Sequence, residues 1–97
     1  MALTDDTRRR LAVVLGSEAA ANDVVTIVNA GTGTLAEDTQ RRIWNVMGTS
    51  EGVAFIAEIH ADTSLEFIVR GKLVQLLGAT AATDFTAEQG TGTATIT

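Results

Sequence analysis

The sequence predicts an all-α fold of three tandem helical hairpins of about 30 residues, the last one degraded, followed by an extended C-terminal Gly/Thr tail. The main evidence is a six-residue apolar segment that ends in glycine and occurs three times, as Leu11-Ala-Val-Val-Leu-Gly16, Ile43-Trp-Asn-Val-Met-Gly48 and Leu73-Val-Gln-Leu-Leu-Gly78. The three glycines are 32 and then 30 residues apart. A period of this length is typical of helical units that bury their apolar faces against one another.

The first helix of each hairpin, which we term helix A, has an apolar stripe at positions i, i+4, i+8, i+11 and i+12. Such spacing places the stripe on one face of an α-helix. The stripe consists of Leu3, Thr7, Leu11, Val14 and Leu15, then Leu35, Thr39, Ile43, Val46 and Met47, then Leu65, Val69, Leu73, Leu76 and Leu77. Thr34 forms a capping box with Glu37, and Ser64 takes the same position in the third copy, so we expect these residues to cap helix A.

The second helix of each hairpin, helix B, follows the glycine, which we expect to end helix A in a left-handed conformation. An alignment on the glycines pairs Ala20, Val24, Ile27 and Val28 with Gly52, Ile56, Ile59 and His60. The small residues Ala20, Gly52 and Ala82 favour a close approach of the two helices. The third helix B has lost apolar residues and should be short, at about 80–89. The pattern leaves open whether the hairpins form an open solenoid or a closed bundle.

These elements predict one helical domain at 1–89, with repeats at about 3–30, 35–61 and 65–89, and a tail at 90–97. The tail begins with the Gly-Thr-Gly-Thr sequence that also links the first two hairpins. Its last residues include Thr95 and Ile96, whose β-branched side chains favour addition as a strand to a neighbouring sheet edge. Disorder is the alternative for such a tail.

Charge is distributed unevenly along this chain, whose formal net charge is −5. All seven basic residues lie in helix A, and five of them form a predicted basic ridge: Arg8, Arg10, Arg42, Arg70 and Lys72. The ridge either contacts phosphate or an acidic partner, or is neutralised locally by acids one turn earlier. The second interpretation is favoured by five pairs: Asp5–Arg9, Asp6–Arg10, Glu37–Arg41, Asp38–Arg42 and Glu66–Arg70. Only Arg8 and Lys72 lack such an acid, so the sequence argues against nucleic-acid binding.

Residues for catalysis are scarce, since the chain has one histidine, no cysteine and no tyrosine. We expect His60 to be structural, at a helix end where a cation favours the helix dipole. We therefore expect no enzymatic activity, no metal and no cofactor. We expect no transmembrane segment and no signal peptide, because no apolar run approaches membrane length and residues 4–10 are charged where an apolar segment would begin.

The positions where one copy departs from the others are candidates for binding. Phe67 and Ile68 stand where the other two copies have two acids, and Trp44 stands where they have Ala12 and Val74. Phe55 and Phe85 align with Asp23 when the copies are aligned on the glycines. Two interpretations remain open: the side chains complete a small core, or Trp44, Phe67 and Ile68 anchor a partner, as aromatic residues often do at interfaces.

The units Leu-Thr-x-x-Thr-Arg-Arg-Arg-Leu-x-Val-x-Leu-Gly and Leu-Ala-Glu-Asp-Thr-Gln-Arg-Arg-Ile-x-x-x-Met-Gly resemble helical-hairpin repeats of tailed-bacteriophage virion structural proteins, of the head-fibre or capsid-associated type. The resemblance covers about residues 3–89. It implies a virion protein, assembled in the host cytoplasm, that acts in capsid decoration, as a head fibre or in head–tail joining. We expect it to dock to the capsid or to neighbouring copies, as a homo-oligomer, through Trp44, Phe67, Ile68, Thr95 and Ile96. The alternative is a cytoplasmic adaptor or regulator that binds a peptide or nucleic acid along the basic ridge.

Overall fold

The computed structural model describes residues 3–89, and over this range it contains six α-helices and no strand. The helices are α1 (Asp5–Leu15), α2 (Glu18–Ala30), α3 (Glu37–Met47), α4 (Thr49–Ala61), α5 (Phe67–Leu77) and α6 (Ala79–Glu88). The predicted all-α class is confirmed. The tail at 90–97, with Thr95 and Ile96, lies outside the described residues.

The helices form a closed bundle of about 33 × 27 × 24 Å. Each helix packs on the next one along the chain, and α1 also packs on α3, α5 and α6, so the first and last helices meet. Of the two arrangements that the sequence left open, residues 3–89 adopt the closed one. Each helix in the described part of the chain falls short of the length or hydropathy needed for a transmembrane span.

The core is largely aliphatic, with two phenylalanines, and is built from the inward faces of all six helices. The predicted stripe of helix A is buried as expected at Thr7, Leu11 and Leu15 in α1, at Thr39, Ile43 and Met47 in α3, and at Val69, Leu73 and Leu77 in α5. Val14, Val46 and Leu76 are half-buried against it. The predicted close approach within a hairpin is most evident at Gly52, where an added Cβ would lie 2.9 Å from Cδ1 and 3.2 Å from Cα of Trp44.

The capping residues predicted for α3 and α5 are wrong. Both helices begin later than Thr34 and Ser64 suggested, with Ala36 and Glu66 as N-caps and no side-chain capping bond. Leu35 and the equivalent leucine before α5 are buried in the core although both precede the helix. Burial of a leucine stabilises by about 1.5–3 kcal/mol, which exceeds the ~1 kcal/mol of a good cap.

The connection between the two helices of a hairpin differs among the copies. Gly16 is left-handed, as predicted, and is followed by Ser17, whose hydroxyl caps α2. Gly48 and Gly78 instead have φ 87° with ψ 165° and φ 91° with ψ 161°, and each alone ends one helix and begins the next. The first hairpin therefore has one extra residue in its turn.

This extra residue shifts the alignment of helix B by one position relative to the glycine-based prediction. Counted from the helix starts, Phe55 and Phe85 correspond to Val24 and not to Asp23. All three side chains are fully buried, and the two phenylalanine rings have centroids 5.2 Å apart. These aromatic residues belong to the core, as the first of the two interpretations held.

Candidate docking surface and its charged border

Three large apolar side chains of α5 lie on the solvent side of the bundle. Phe67 is 81% exposed, Ile68 50% and Val74 47%. Trp44 on α3, the other candidate anchor, is 39% exposed because part of its ring covers Gly52. Inward packing, the first interpretation, is therefore wrong for Phe67 and Ile68. We define the outer face of α5 as Phe67, Ile68, Gly71 and Val74.

Gly71 lies at the centre of the outer face of α5. Residues at i, i+4 and i+7 share one side of a helix, which places it between Phe67 and Val74. Apart from its chain neighbours and the backbone of its own helix, no atom of the described chain lies within 4 Å of a Cβ built on this glycine. The packing of the described residues therefore gives no reason for the missing side chain.

Arg70 and Lys72 border this face, and neither forms an ion pair within residues 3–89. The guanidinium carbon of Arg70 lies 5.9 Å from the centroid of the Phe67 ring. The predicted Glu66–Arg70 pair is absent from the described structure. Glu66 precedes the helix in extended backbone, at φ −68° and ψ 158°, so its side chain does not follow the helical surface towards Arg70.

The other predicted i, i+4 ion pairs are confirmed. They are Asp5–Arg9 at 2.9 Å, Asp6–Arg10 at 3.0 Å, Glu37–Arg41 at 4.0 Å and Asp38–Arg42 at 2.8 Å. Arg8 was expected to lack an acid, but it pairs with Asp5 at 3.0 Å and with Glu18 at 3.3 Å. Hydrogen bonds from Arg8 and Arg9 lower the pKa of Asp5. The ridge on α1 and α3 is thus locally neutralised.

Arg10 and Arg42 also bind the ends of neighbouring helices. Arg10 Nη1 donates to the carbonyl oxygen of Leu77 at 3.1 Å, and Arg42 Nη1 donates to that of Leu15 at 3.0 Å. The last carbonyls of a helix have no partner within the helix, and a cation there is favoured by the helix dipole. These two arginines therefore link helices A to one another. Of the five predicted ridge residues, Arg70 and Lys72 alone have neither a helix-end contact of this kind nor an ion pair within residues 3–89.

A carboxylate from a helix B meets the start of each helix A, a feature that the sequence analysis missed. Asp84 Oδ2 accepts from Thr4 N at 2.9 Å and from Thr7 Oγ1 at 2.7 Å, which joins α6 to α1 and closes the bundle. Asp23 Oδ2 makes the same two contacts with the start of α3, at Ala36 N and Thr39 Oγ1, both at 2.9 Å. A buried threonine in the stripe of helix A was the available signal for such an acceptor.

At the start of α5 the acceptor is a longer acid, Glu58, which lies one helical turn further along α4 than the position equivalent to Asp23 and Asp84. Glu58 Oε2 accepts from Glu66 N at 3.1 Å. Burial raises the pKa of Glu58, and the nearby Glu66 carboxylate adds to this. The positions that correspond to Asp84 and Thr7 are the apolar Ala54 and Val69 in this copy, so this helix start has neither the aspartate acceptor nor the threonine donor.

His60 is a hydrogen-bond acceptor within the bundle. Its Nε2 accepts from Leu35 N at 3.0 Å, and Asn29, which takes the equivalent position in α2, accepts from Leu3 N at 2.9 Å. The role is structural, but its basis is this bond and not the favourable charge at a helix end that the sequence suggested.

Two open grooves lie on either side of Val13 on α1, with volumes of about 420 and 480 Å³. Arginine and aliphatic side chains line both. Within residues 3–89, no cluster of three or more acidic or histidine side chains is placed to hold a metal ion.

Comparison of the chain with models of known families, with curated proteins and with solved structures gave no match. Function must therefore be inferred from the surfaces of the molecule itself.

Proposed function

We propose that this chain is a non-enzymatic structural protein of a tailed-bacteriophage virion that docks to the capsid or to neighbouring copies. Capsid decoration, a head fibre or head–tail joining are the roles that fit its size and repeat pattern. The observation that carries the docking proposal is the outer face of α5, where apolar side chains remain exposed although the core is complete without them.

The residues of this face lower the stability of the fold, which favours a role in binding. α1 and α3 each begin with an acid, Asp5 and Glu37. The interaction of such an acid with the helix dipole stabilises the helix by about 0.3–1 kcal/mol. Phe67 takes that position in α5. An exposed aromatic ring there contributes little to folding, whereas its burial at an interface contributes on the order of 1.5–3 kcal/mol.

We further infer that the three hairpins are copies of one repeated unit. The recurring contacts support this, because Asp23, Glu58 and Asp84 each meet the start of the following helix A around the closed bundle. These contacts fix the position of α5 in the bundle, and therefore also the position of its outer face. The predicted tail remains a second candidate docking element.

The alternative function is that of an adaptor or regulator, and we propose it only for a peptide ligand and not for nucleic acid. Arg8, Arg10 and Arg42 are engaged in internal contacts, which disfavours nucleic acid along the ridge. Arg70 and Lys72 favour an acidic peptide as the ligand. Such a ligand would bind at α5 and not along the entire ridge.

Mass spectrometry of purified virions from the phage or prophage that encodes the chain tests the proposed function. We expect the protein in the particles, and its loss from them when Phe67 is replaced by Asp. Val53→Asp is the matched control, since Val53 is a 50% exposed apolar residue on α4 and does not belong to the outer face of α5. Absence of the wild-type chain from the particles would contradict a virion role.

A further inference from the structure

We propose that the outer face of α5 binds an acidic amphipathic α-helix of a partner protein. This rests on the proposed docking function and names the chemistry of the partner. The fold does not require this face, its central glycine leaves room for a helix, and its border is cationic.

Two of the four residues on this face make α5 less stable than the alternatives found in α1 and α3. Phe67 replaces a favourable acid at the helix start, as argued above. Gly71 takes the position of Arg9 and Arg41, and a glycine inside a helix costs about 1 kcal/mol relative to alanine. Both costs fall on the same exposed face. We infer that this face contacts a partner and does not serve the packing of residues 3–89.

The face has a gap in its apolar surface at Gly71. Phe67 and Val74 lie one turn to either side of it, and the space where a side chain would project from Gly71 is open. Helices pack with their axes 8–10 Å apart, depending on the side chains at the crossing point. A glycine at the crossing point allows the short end of that range, and a helical ligand can place one apolar side chain over it.

The border of the face selects for acids on the ligand. Successive residues turn by about 100° around a helix, so Arg70 and Lys72 lie on opposite sides of Gly71. Both lack an acid within residues 3–89, in contrast to the paired arginines of α1 and α3. A ligand helix with glutamates on both sides of its apolar stripe would pair with both cations.

The same charges disfavour a second copy of α5 as the occupant. A two-fold axis that brings two α5 helices face to face places Lys72 beside its own symmetry mate or beside Arg70. Like charges in such positions oppose association.

The test uses the full chain and a synthetic helical peptide that has leucines at i, i+3, i+4 and i+7 and glutamates on both flanks. Fluorescence anisotropy measures its affinity at low and high salt. We expect binding that weakens as salt rises, and at least about tenfold weaker binding to a lysine-flanked peptide, as expected for loss of an interfacial charge match. Phe67→Asp and Gly71→Leu should each weaken binding by about tenfold or more, as for loss of an interface anchor. Val53→Asp should not change it.

Equal affinity for the two peptides, or no effect of Phe67→Asp, would overturn the proposal. If the protein alone forms dimers that Phe67→Asp dissociates, the occupant is a second copy and the proposal is wrong. If Ile96→Asp strengthens peptide binding several-fold, the tail of the chain itself occupies the face, and the proposal is also wrong. Loss of Phe67→Asp from virions without peptide binding would leave the docking function standing and reject this partner chemistry alone.

Discussion

Gly52 and Gly71 offer a matched test of the packing, because the same substitution at each should change stability in opposite directions. Both glycines lie inside helices, where alanine is favoured over glycine by about 1 kcal/mol. At Gly71 nothing in the described chain lies within 4 Å of the new methyl group. Gly71→Ala should therefore raise the free energy of unfolding by about 0.5–1 kcal/mol.

At Gly52 the same gain is opposed by a clash. The new Cβ would lie 2.9 Å from Cδ1 of Trp44, which can rotate, and 3.2 Å from its Cα, which moves only if α3 moves. Overpacking of this kind costs about 1–3 kcal/mol. We expect a net loss of about 1 kcal/mol, so the two variants should differ by about 2 kcal/mol.

Urea unfolding, followed by far-UV circular dichroism and by the fluorescence of the single tryptophan, measures both values. Coincident transitions from the two probes would support a two-state analysis. If Gly52→Ala is as stable as Gly71→Ala, the close approach of α3 and α4 is wrong. If Gly71→Ala destabilises the protein, its position on an open surface is wrong.

Three further outcomes follow from the hydrogen bonds at the helix starts. Asp84→Ala should cost about 1–3 kcal/mol because the backbone and hydroxyl donors at the start of α1 lose their acceptor. Thr7→Val in the same chain should recover part of this loss in a double-mutant cycle, since the two substitutions together resemble the apolar residues Ala54 and Val69 at the start of α5. Additive losses would contradict the coupling. Glu58→Gln should be as stable as the wild type below about pH 4.5 and more stable than it at higher pH. The pKa of the Glu58 carboxyl is raised in the folded state, so its ionisation destabilises the wild type, whereas glutamine does not ionise. A stability difference in urea unfolding that does not depend on pH would refute this. The free energy of unfolding of His60→Asn should stay within about 0.5 kcal/mol of the wild type, because asparagine also offers an acceptor to Leu35 N. His60→Leu has no acceptor and should lose about 1 kcal/mol. Equal losses for the two variants in thermal unfolding would exclude the bond to Leu35.

The local features of helix A were predictable from the sequence. The stripe from Leu11 to Leu15 and its counterparts depend on helical periodicity alone, and four of the i, i+4 ion pairs depend on spacing alone. Both are short-range properties that any helix with this sequence would have. The exposure of Phe67 was only one of two interpretations that the sequence left open, although its counterparts in the other copies are charged.

The features that the sequence did not predict depend on distant residues or on a single backbone angle. The extra residue at Ser17 shifted the alignment of helix B, because glycine supports both the left-handed and the extended conformation at positive φ. The contact of Asp84 with Thr4 spans most of the described chain and depends on closure of the bundle. The capping box at Thr34 was overridden by burial of Leu35.

The central claim is that the outer face of α5 is kept for a partner and not for the fold. The most direct test is a titration of ¹⁵N-labelled protein with the acidic helical peptide, in which backbone amide chemical shifts locate the contact. We expect the largest shifts at residues 66–75 and little change on α2 and α4. Shifts centred on α1 or α4, or no shifts at saturating peptide, would contradict the claim.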